Sequence, residues 1–276
     1  MNQEQLLRDI LDDNVRGATP ITADAVALLC RMLDEGETEG RILSVAREIS
    51  QTHCGMATLI NLSADLETLA RRRSDGHFSA YLKNYLAQVE KSAALTATYA
   101  AALLASYSTI VTLSQSSLVE AAIARLTERP HLIFGESRPL NEGLPPARRL
   151  AQLGFPVTVV ADAALPGFLT EGAAAVVGCD ALLPTVLVNK IGTYPLALAC
   201  RDRGAPLHVL CPRLKRLSAE RAGWFSIRER PAAELGVVES ENLRVRNVYF
   251  DQTPRSLITH LIGEEGPVDP CRPGAG

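Results

Sequence analysis

Near Tyr107 the hydrophobic pattern changes period, and that change restricts the chain to a helical part followed by an α/β part. Upstream, apolar side chains recur three and four residues apart: Ala25, Leu28, Leu29 and Met32, then Ile42, Val45, Ala46 and Ile49, then Leu82, Leu86 and Val89. Such spacing lines up one face of a helix. Asp75-Gly76 marks a break. The Ala-rich run from Ser79 to Ala105 reads as a long helix whose small side chains allow close packing against other helices or across a subunit contact. Downstream, short apolar runs at 109–113, 132–134, 157–160, 174–177 and 207–211 alternate with helical stretches at 118–126, 147–153 and 196–203. Strands that are apolar without interruption belong to a parallel sheet covered by helices on both faces. The expected architecture is therefore α/β, with a helical domain over 1–106 and a sheet domain over 107–276. A last strand is expected at 243–250, and from Glu264 the polar, Pro- and Gly-rich end is expected to be mobile.

Ligands on parallel sheets bind beyond the carboxyl ends of the strands. Ser114 to Ser117, Glu136 to Arg138, Asp162, Asp180 and Arg213 to Lys215 all follow expected strands. The densest chemistry lies in Gly178-Cys179-Asp180 and Asn189-Lys190-Ile191-Gly192-Thr193. Lys190 can neutralise phosphate, Asn189 can hold a hydroxyl, and Asp180 can move a proton if burial raises its pKa. A sugar phosphate suits that set. The competing reading is a turn and a helix N-capped by Thr193 ahead of Tyr194-Pro195.

Charge argues against nucleic acid as a partner, because a net of −3 and a pI near 6.0 leave no overall basic field. The clusters Arg71-Arg72-Arg73 and Arg213, Lys215, Arg216 read first as solvated faces, with a local anion site as the alternative. Six dispersed cysteines and five dispersed histidines show no metal-ligand spacing and no disulfide framework, so no metal is expected and a reducing, cytoplasmic setting is. No apolar run approaches the ~18 residues of a membrane span.

Six short motifs, taken in order, resemble one family: Val15-Arg16-Gly17-Ala18, Thr109-Ile110-Val111-Thr112, Glu136-Ser137-Arg138-Pro139 with Gly143, Gly178-Cys179-Asp180, Asn189-Lys190-Ile191-Gly192-Thr193 and Asp251-Gln252-Thr253-Pro254. That family contains methylthioribose-1-phosphate isomerase, ribose-1,5-bisphosphate isomerase and the alpha, beta and delta subunits of translation initiation factor 2B. The resemblance implies an N-terminal helical domain and a Rossmann-like domain, assembled at least as dimers, with no cofactor. In the isomerases it implies conversion of an aldose phosphate to a ketose phosphate through an Asp and a Cys. The Asp falls on Asp180. The Cys falls on Ser114, in Thr112-Leu113-Ser114, and the thiol is absent.

A thiol with a pKa of about 8.5 can be tuned toward neutrality, whereas a hydroxyl needs a base beside it. Thr52-His53-Cys54 repeats the family's letters in the helical part and reads as coincidence, with Cys54 a packing residue. Met56-Ala57-Thr58 stands where the isomerases carry a phosphate-gripping Arg-Pro-Thr, and Pro184-Thr185 replaces an Asn-Gly turn between Asp180 and Asn189. Glu142 occupies a position that is often Gln in the isomerases.

The resemblance implies Asp180 and Ser114 as catalytic positions. It implies phosphate and sugar contacts from Arg16, the Gly17 and Ala18 backbone, Ser116, Asn189, Lys190 and Lys215, with Arg138 either touching ligand or tying loops together. Two functions follow: a pentose 1-phosphate isomerase of altered chemistry, or a non-catalytic subunit that binds a sugar phosphate or nucleotide. A dinucleotide oxidoreductase is disfavoured, since no Gly-x-Gly-x-x-Gly follows the first strand.

Overall fold

The computed structural model describes residues 2–13, 17–72 and 77–271. Five helices come first: α1 (Gln3–Asp12), α2 (Ala18–Asp34), α3 (Glu39–Thr52), α4 (Ala57–Arg71) and α5 (His77–Leu104). Local chemistry sets their starts. Asn2 accepts the Gln5 N–H at 2.8 Å to open α1, and Thr38 accepts the Arg41 N–H at 3.3 Å to open α3. The side chains at three-and-four spacing bury against one another, with Ile21, Leu29, Ile42, Leu66 and Leu82 fully enclosed. Each such burial is worth about 1.5–3 kcal/mol. Two polar ties fix the register inside that core, Thr22 Oγ1 to Thr58 Oγ1 at 2.7 Å and Tyr85 OH to the Thr58 carbonyl at 2.6 Å.

The second part alternates. It runs β1 (Thr109–Thr112), α6 (Ser117–Ile123), β2 (His131–Gly135), α7 (Leu144–Gln152), β3 (Val157–Val160), β4 (Ala173–Val177), β5 (Ala181–Leu182), β6 (Val186–Lys190), α8 (Thr193–Arg203), β7 (Leu207–Leu210), α9 (Ala219–Ala222), β8 (Phe250–Pro254), β9 (His260–Gly263) and β10 (Gly266–Val268). Seven strands form one sheet in the order β10-β9-β7-β4-β1-β2-β3, parallel except for β10. Both faces are covered: Ile110, Leu132, Phe134 and Val176 pack toward α5 and α6, while Val111, Ile133, Ala175 and Val177 face α8. Ala97, Ala100 and Ala101 of α5 lie against that first face, so the close approach their small side chains permit is met within the chain.

Two expectations are corrected. The strand expected at 243–250 is absent; Leu243 is exposed, residues 243–249 make only isolated bridges, and the paired strand is β8. β8 belongs to a second, antiparallel sheet, β5-β6-β8, whose strands are too short to announce themselves by pattern. The end of the chain is no loose tail through 268, because Gly266, at φ +93°, reverses the backbone and β10 pairs with β9. Residues 272–276 lie outside the described residues.

Strand order places the site. From β1 the chain moves outward through β2 to β3, then returns to β4 on the other side of β1 and continues through β7 to β9. Such a reversal is where open α/β sheets bind ligands, beyond the carboxyl ends of β1 and β4.

Candidate functional site

Two left-handed serines shape one side of this switch point. Ser114 follows β1 and Ser137 follows β2, each at φ +64°, a conformation uncommon for residues with a Cβ and frequent at functional positions. The Ser114 N–H donates to Ser137 Oγ at 2.6 Å, and Ser137 Oγ donates to the Gly135 carbonyl at 3.1 Å. Asp162 accepts the Ser137 and Arg138 N–H groups at 2.7 and 2.9 Å. The loop then folds back so tightly that a Cβ on Gly143 would lie 1.9 Å from the Gly135 carbonyl oxygen. Its purpose is visible one residue earlier: Glu142 reaches over the rim and accepts a hydrogen bond from Ser114 Oγ at 2.9 Å. Arg138 is exposed, and it is its backbone that ties the loop.

The opposite side comes from β6 and the residue before β8. Lys190 is buried, with its Nζ 3.1 Å from Glu142 Oε1 and 3.8 Å from the Tyr249 ring centroid. The contact to Glu142 lies off the line a hydrogen bond needs, and Nζ has no hydrogen-bond partner. A buried ammonium in that condition has donor capacity for a ligand oxygen. Asn189 donates to Thr193 Oγ1 at 2.9 Å, and Thr193 Oγ1 donates to the Lys190 carbonyl at 2.7 Å. Thr193 is therefore not the N-cap of α8 but its first residue. Capping is done from β8, where Asp251 Oδ2 accepts the Gly192 and Tyr194 N–H groups at 2.8 and 3.0 Å.

Asp180 sits at the centre, two residues beyond Gly178, where a Cβ would come 2.8 Å from Ser116 Oγ. By accessible surface Asp180 is half-buried, yet protein atoms crowd it densely enough that desolvation pushes its carboxyl above the ordinary range. Lys215 and Lys190 pull it back down, and the Glu142 charge pushes it further up. All four charged groups thus feel one another. Lys215 Nζ donates to the Cys179 carbonyl at 2.6 Å, and Arg216 donates to the Cys211 carbonyl at 3.4 Å, so these two are anchored into the sheet rim rather than forming a solvated face. Arg213, by contrast, is exposed.

The remaining expected residues divide. Ser116 accepts the Val119 N–H at 3.3 Å and N-caps α6. Gly17 is the N-cap of α2 and carries no side-chain cap, and Ala18 is buried. Arg16 lies outside the described residues. The helical part nevertheless reaches the site, since Asn61 of α4 donates to the Leu214 and Arg216 carbonyls at 2.9 and 3.1 Å, and Ala57 and Ile60 pack against Ala181 and Val188. Met56 packs into the helical core. His53 bonds the Ile10 carbonyl at 2.7 Å, and Cys54 accepts from Ser226 Oγ at 2.9 Å, so the Thr-His-Cys string there is structural. Glu142 and Tyr249 are the contributors whose place the sequence did not reveal. Among the described residues no cluster of three or more His, Cys, Asp or Glu could hold a metal ion, and no helix is long and apolar enough to cross a membrane.

The architecture defines a doubly wound α/β protein with paired carboxylates and ammonium groups at its topological switch point. The chain belongs to the initiation factor 2 subunit family, which residues 14–270 match. It is 31% identical over 275 residues to a putative translation initiation factor eIF-2B subunit 2-like protein of Pyrococcus horikoshii, covering 97% of this chain and 96% of that one. It is also 35% identical over 146 residues to the ribose 1,5-bisphosphate isomerase of Haloferax volcanii, but that match spans only 50% of this chain and 45% of the isomerase. Among solved structures, the crystal structure of the Pyrococcus horikoshii OT3 translation initiation factor eIF-2B superposes with a TM-score of 0.82 at 28% identity, covering 98% of each chain.

Proposed function

We propose that this chain binds a pentose 1-phosphate at the switch point and interconverts its aldose and ketose forms. The observation that carries the reading is Asp180, its carboxyl raised by burial and acted on by the charges of Lys215, Lys190 and Glu142. Opening a sugar 1-phosphate ring requires a proton on the ring oxygen, loss of the C2 hydroxyl proton as a carbonyl forms there, and movement of hydrogen from C2 to C1. One acid and one base suffice. A carboxyl whose pKa burial raises above the ordinary range is the better acid of the two, so Asp180 takes that role. The base takes the C2 hydroxyl proton, and Glu142 is the group available, since the Ser114 hydroxyl donates to it and cannot itself do a thiol's work. Lys190 and Lys215 offer positive charge to the phosphate, with Arg16 and the backbone at Gly17 and Ala18 as the further contacts that the resemblance assigns. Asn189, with its NH2 committed to Thr193, offers its oxygen to a sugar hydroxyl.

A second reading rests on a specific observation. Ser114 replaces the thiol, and the full-length similarity is to an initiation-factor-like protein whereas the isomerase match covers half. In that reading the pocket binds a sugar phosphate or nucleotide without turnover. Purified protein incubated with ribose 1,5-bisphosphate and with methylthioribose 1-phosphate should yield the ketose by NMR. Ligand-induced thermal stabilisation without turnover selects the binder. A flat thermal response to sugar phosphates and nucleoside monophosphates alike overturns both.

A further inference from the structure

Beneath Asp180 lies a pair of cysteines that the site as described does not use. β4 and β7 are hydrogen-bonded neighbours in parallel register, with Ala175 opposite Leu207, Val176 opposite His208 and Val177 opposite Val209. Carried two residues further, that register sets Cys179 opposite Cys211, on the same face as Val177 and Val209. Adjacent strands run about 4.8 Å apart, inside the Cα separation of roughly 4.4–6.8 Å that a disulfide spans. Both cysteines are free thiols and both are buried in one apolar cluster with Leu182 and Leu261.

The two sulfurs interact. The Cys211 thiol donates to the Pro212 carbonyl at 3.8 Å, and Cys179, Arg216 and Lys215 all act on it electrostatically. Burial, the largest single influence on Cys211, raises its pKa, but Cys179 and the two cations together outweigh it and leave the thiol more acidic than usual. Cys179 is pushed the other way, chiefly by burial. Two neighbouring thiols, one of them made more acidic by adjacent cations, form the arrangement that disulfide formation needs. Cys200 supplies the contrast within the same cluster: it is equally buried, has no such neighbours, and burial alone pushes its pKa up to about 12.

We propose that Cys179 and Cys211 form an oxidisable dithiol at the floor of the Asp180 site, closed to a disulfide by hydroperoxides and shielded by burial from bulkier thiol reagents. In the step, Cys211 as thiolate attacks one peroxide oxygen. The O–O bond breaks, hydroxide leaves and takes a proton to become water, and Cys211 becomes a sulfenic acid. Cys179 then attacks the Cys211 sulfur, the S–O bond breaks, and a second water leaves with the Cys179 proton. Two thiols lose two electrons and two protons overall, and one peroxide is reduced to two waters. The consequence reaches the site directly, because Cys179 immediately precedes Asp180 and its carbonyl is the acceptor for Lys215 Nζ at 2.6 Å. Drawing the two sulfurs together shifts the backbone on which the acid and one of its lysines are hung.

The experiment uses the intact wild-type protein. Aliquots are exposed to hydrogen peroxide, to glutathione disulfide or to nothing, quenched with N-ethylmaleimide while folded, then denatured, digested and weighed. Peroxide should give a Cys179–Cys211 cross-linked peptide two hydrogens lighter than its parts, reversed by dithiothreitol, with Cys200 recovered as a thiol. Glutathione disulfide should label the exposed Cys271 and leave the pair untouched. Recovery of Cys179 and Cys211 as free thiols under peroxide that oxidises Cys271 overturns the proposal. So does oxidation of either one separately to a sulfinic acid, or cross-linking of either to another cysteine. The Cys211→Ser variant, if it folds, should leave Cys179 reduced under peroxide; the wild-type masses decide the question without it.

Discussion

Acid should destabilise this protein through a residue at the opposite end of the sheet from the site. His208, in β7, is fully buried; its Nε2 lies 3.1 Å from Tyr107 OH, and its Nδ1 lies 3.2 Å from Nδ1 of His260 in β9, with the two rings stacked 5.2 Å apart. Burial first, and His260 second, lower its pKa from 6.5 to about 4. The folded protein therefore holds His208 neutral, while the unfolded chain takes up a proton as pH falls through 6.5. This contribution to stability is complete above that pH and is lost progressively down to about pH 4. A shift of that size corresponds to about 3 kcal/mol in total, of which about 2 kcal/mol disappears between pH 7 and 5. The assay is urea unfolding at half-unit pH intervals on wild type and on His208→Gln, which can keep one hydrogen bond and does not titrate. Wild-type stability should fall about 2 kcal/mol further than the variant's between pH 7 and 5, whatever the variant's own starting stability. Parallel curves would refute the reasoning, because His208 would then be titrating as it does in water.

Three substitutions probe the site. Gly143→Ala puts a methyl group against the Gly135 carbonyl; it should cost about 2–3 kcal/mol in urea unfolding and weaken ligand-induced stabilisation, since the loop that carries Glu142 must move. Lys190→Met removes the charge facing Glu142. Breaking a fully buried ion pair costs about 3–5 kcal/mol, and because Glu142 is partly exposed the expected loss is about 2 kcal/mol, along with most of the thermal shift from sugar phosphates. Asp180→Asn should abolish ketose formation by NMR while preserving ligand-induced stabilisation; retained turnover would remove Asp180 from the chemistry.

How much of this was legible depended on where the information sat. Strands β1, β2, β4 and β7 are buried on both faces, so their side chains are apolar almost without a break and stand out from the flanking helices, and the edge strand β3 keeps the same apolar run although Val159 is exposed. Asp180, Lys190 and Ser114 were legible because each lies just past a strand end or closes a strand at the rim. The antiparallel sheet was not, since β5 has two residues and β6 and β8 five each, one of them made of Phe250-Asp251-Gln252-Thr253-Pro254. The alternation at 243–249 resembled a strand, yet those side chains largely remain at the surface. Glu142 was visible as a residue but not as a neighbour of Ser114, because its placement depends on left-handed backbone at Ser137 and Asn141 and on the bare Cα of Gly143. His208 with His260, and Cys179 with Cys211, are pairings between strands distant in sequence. Only the strand order brings them side by side.

On the proposed function, the charge balance of the site would couple ligand binding to the proton on Asp180. Lys190 and Lys215 face Asp180 and Glu142, two cations against two acids, so with both carboxyls ionised the group is neutral and has little electrostatic reason to admit a phosphate. Protonating Asp180 leaves one net positive charge. A phosphate arriving beside it then raises the carboxyl's pKa further, because ionisation would now oppose both Glu142 and the ligand. By linkage the effect is reciprocal, and a protonated Asp180 binds phosphate more tightly than an ionised one by the same factor. Ligand affinity should consequently weaken as pH rises through the carboxyl's elevated pKa, and Asp180→Asn should bind with an affinity independent of pH across that range. Calorimetric titration of ribose 1,5-bisphosphate into both proteins measures this. Equal pH dependence in the two would locate the coupling on the ligand's own phosphates and not on Asp180.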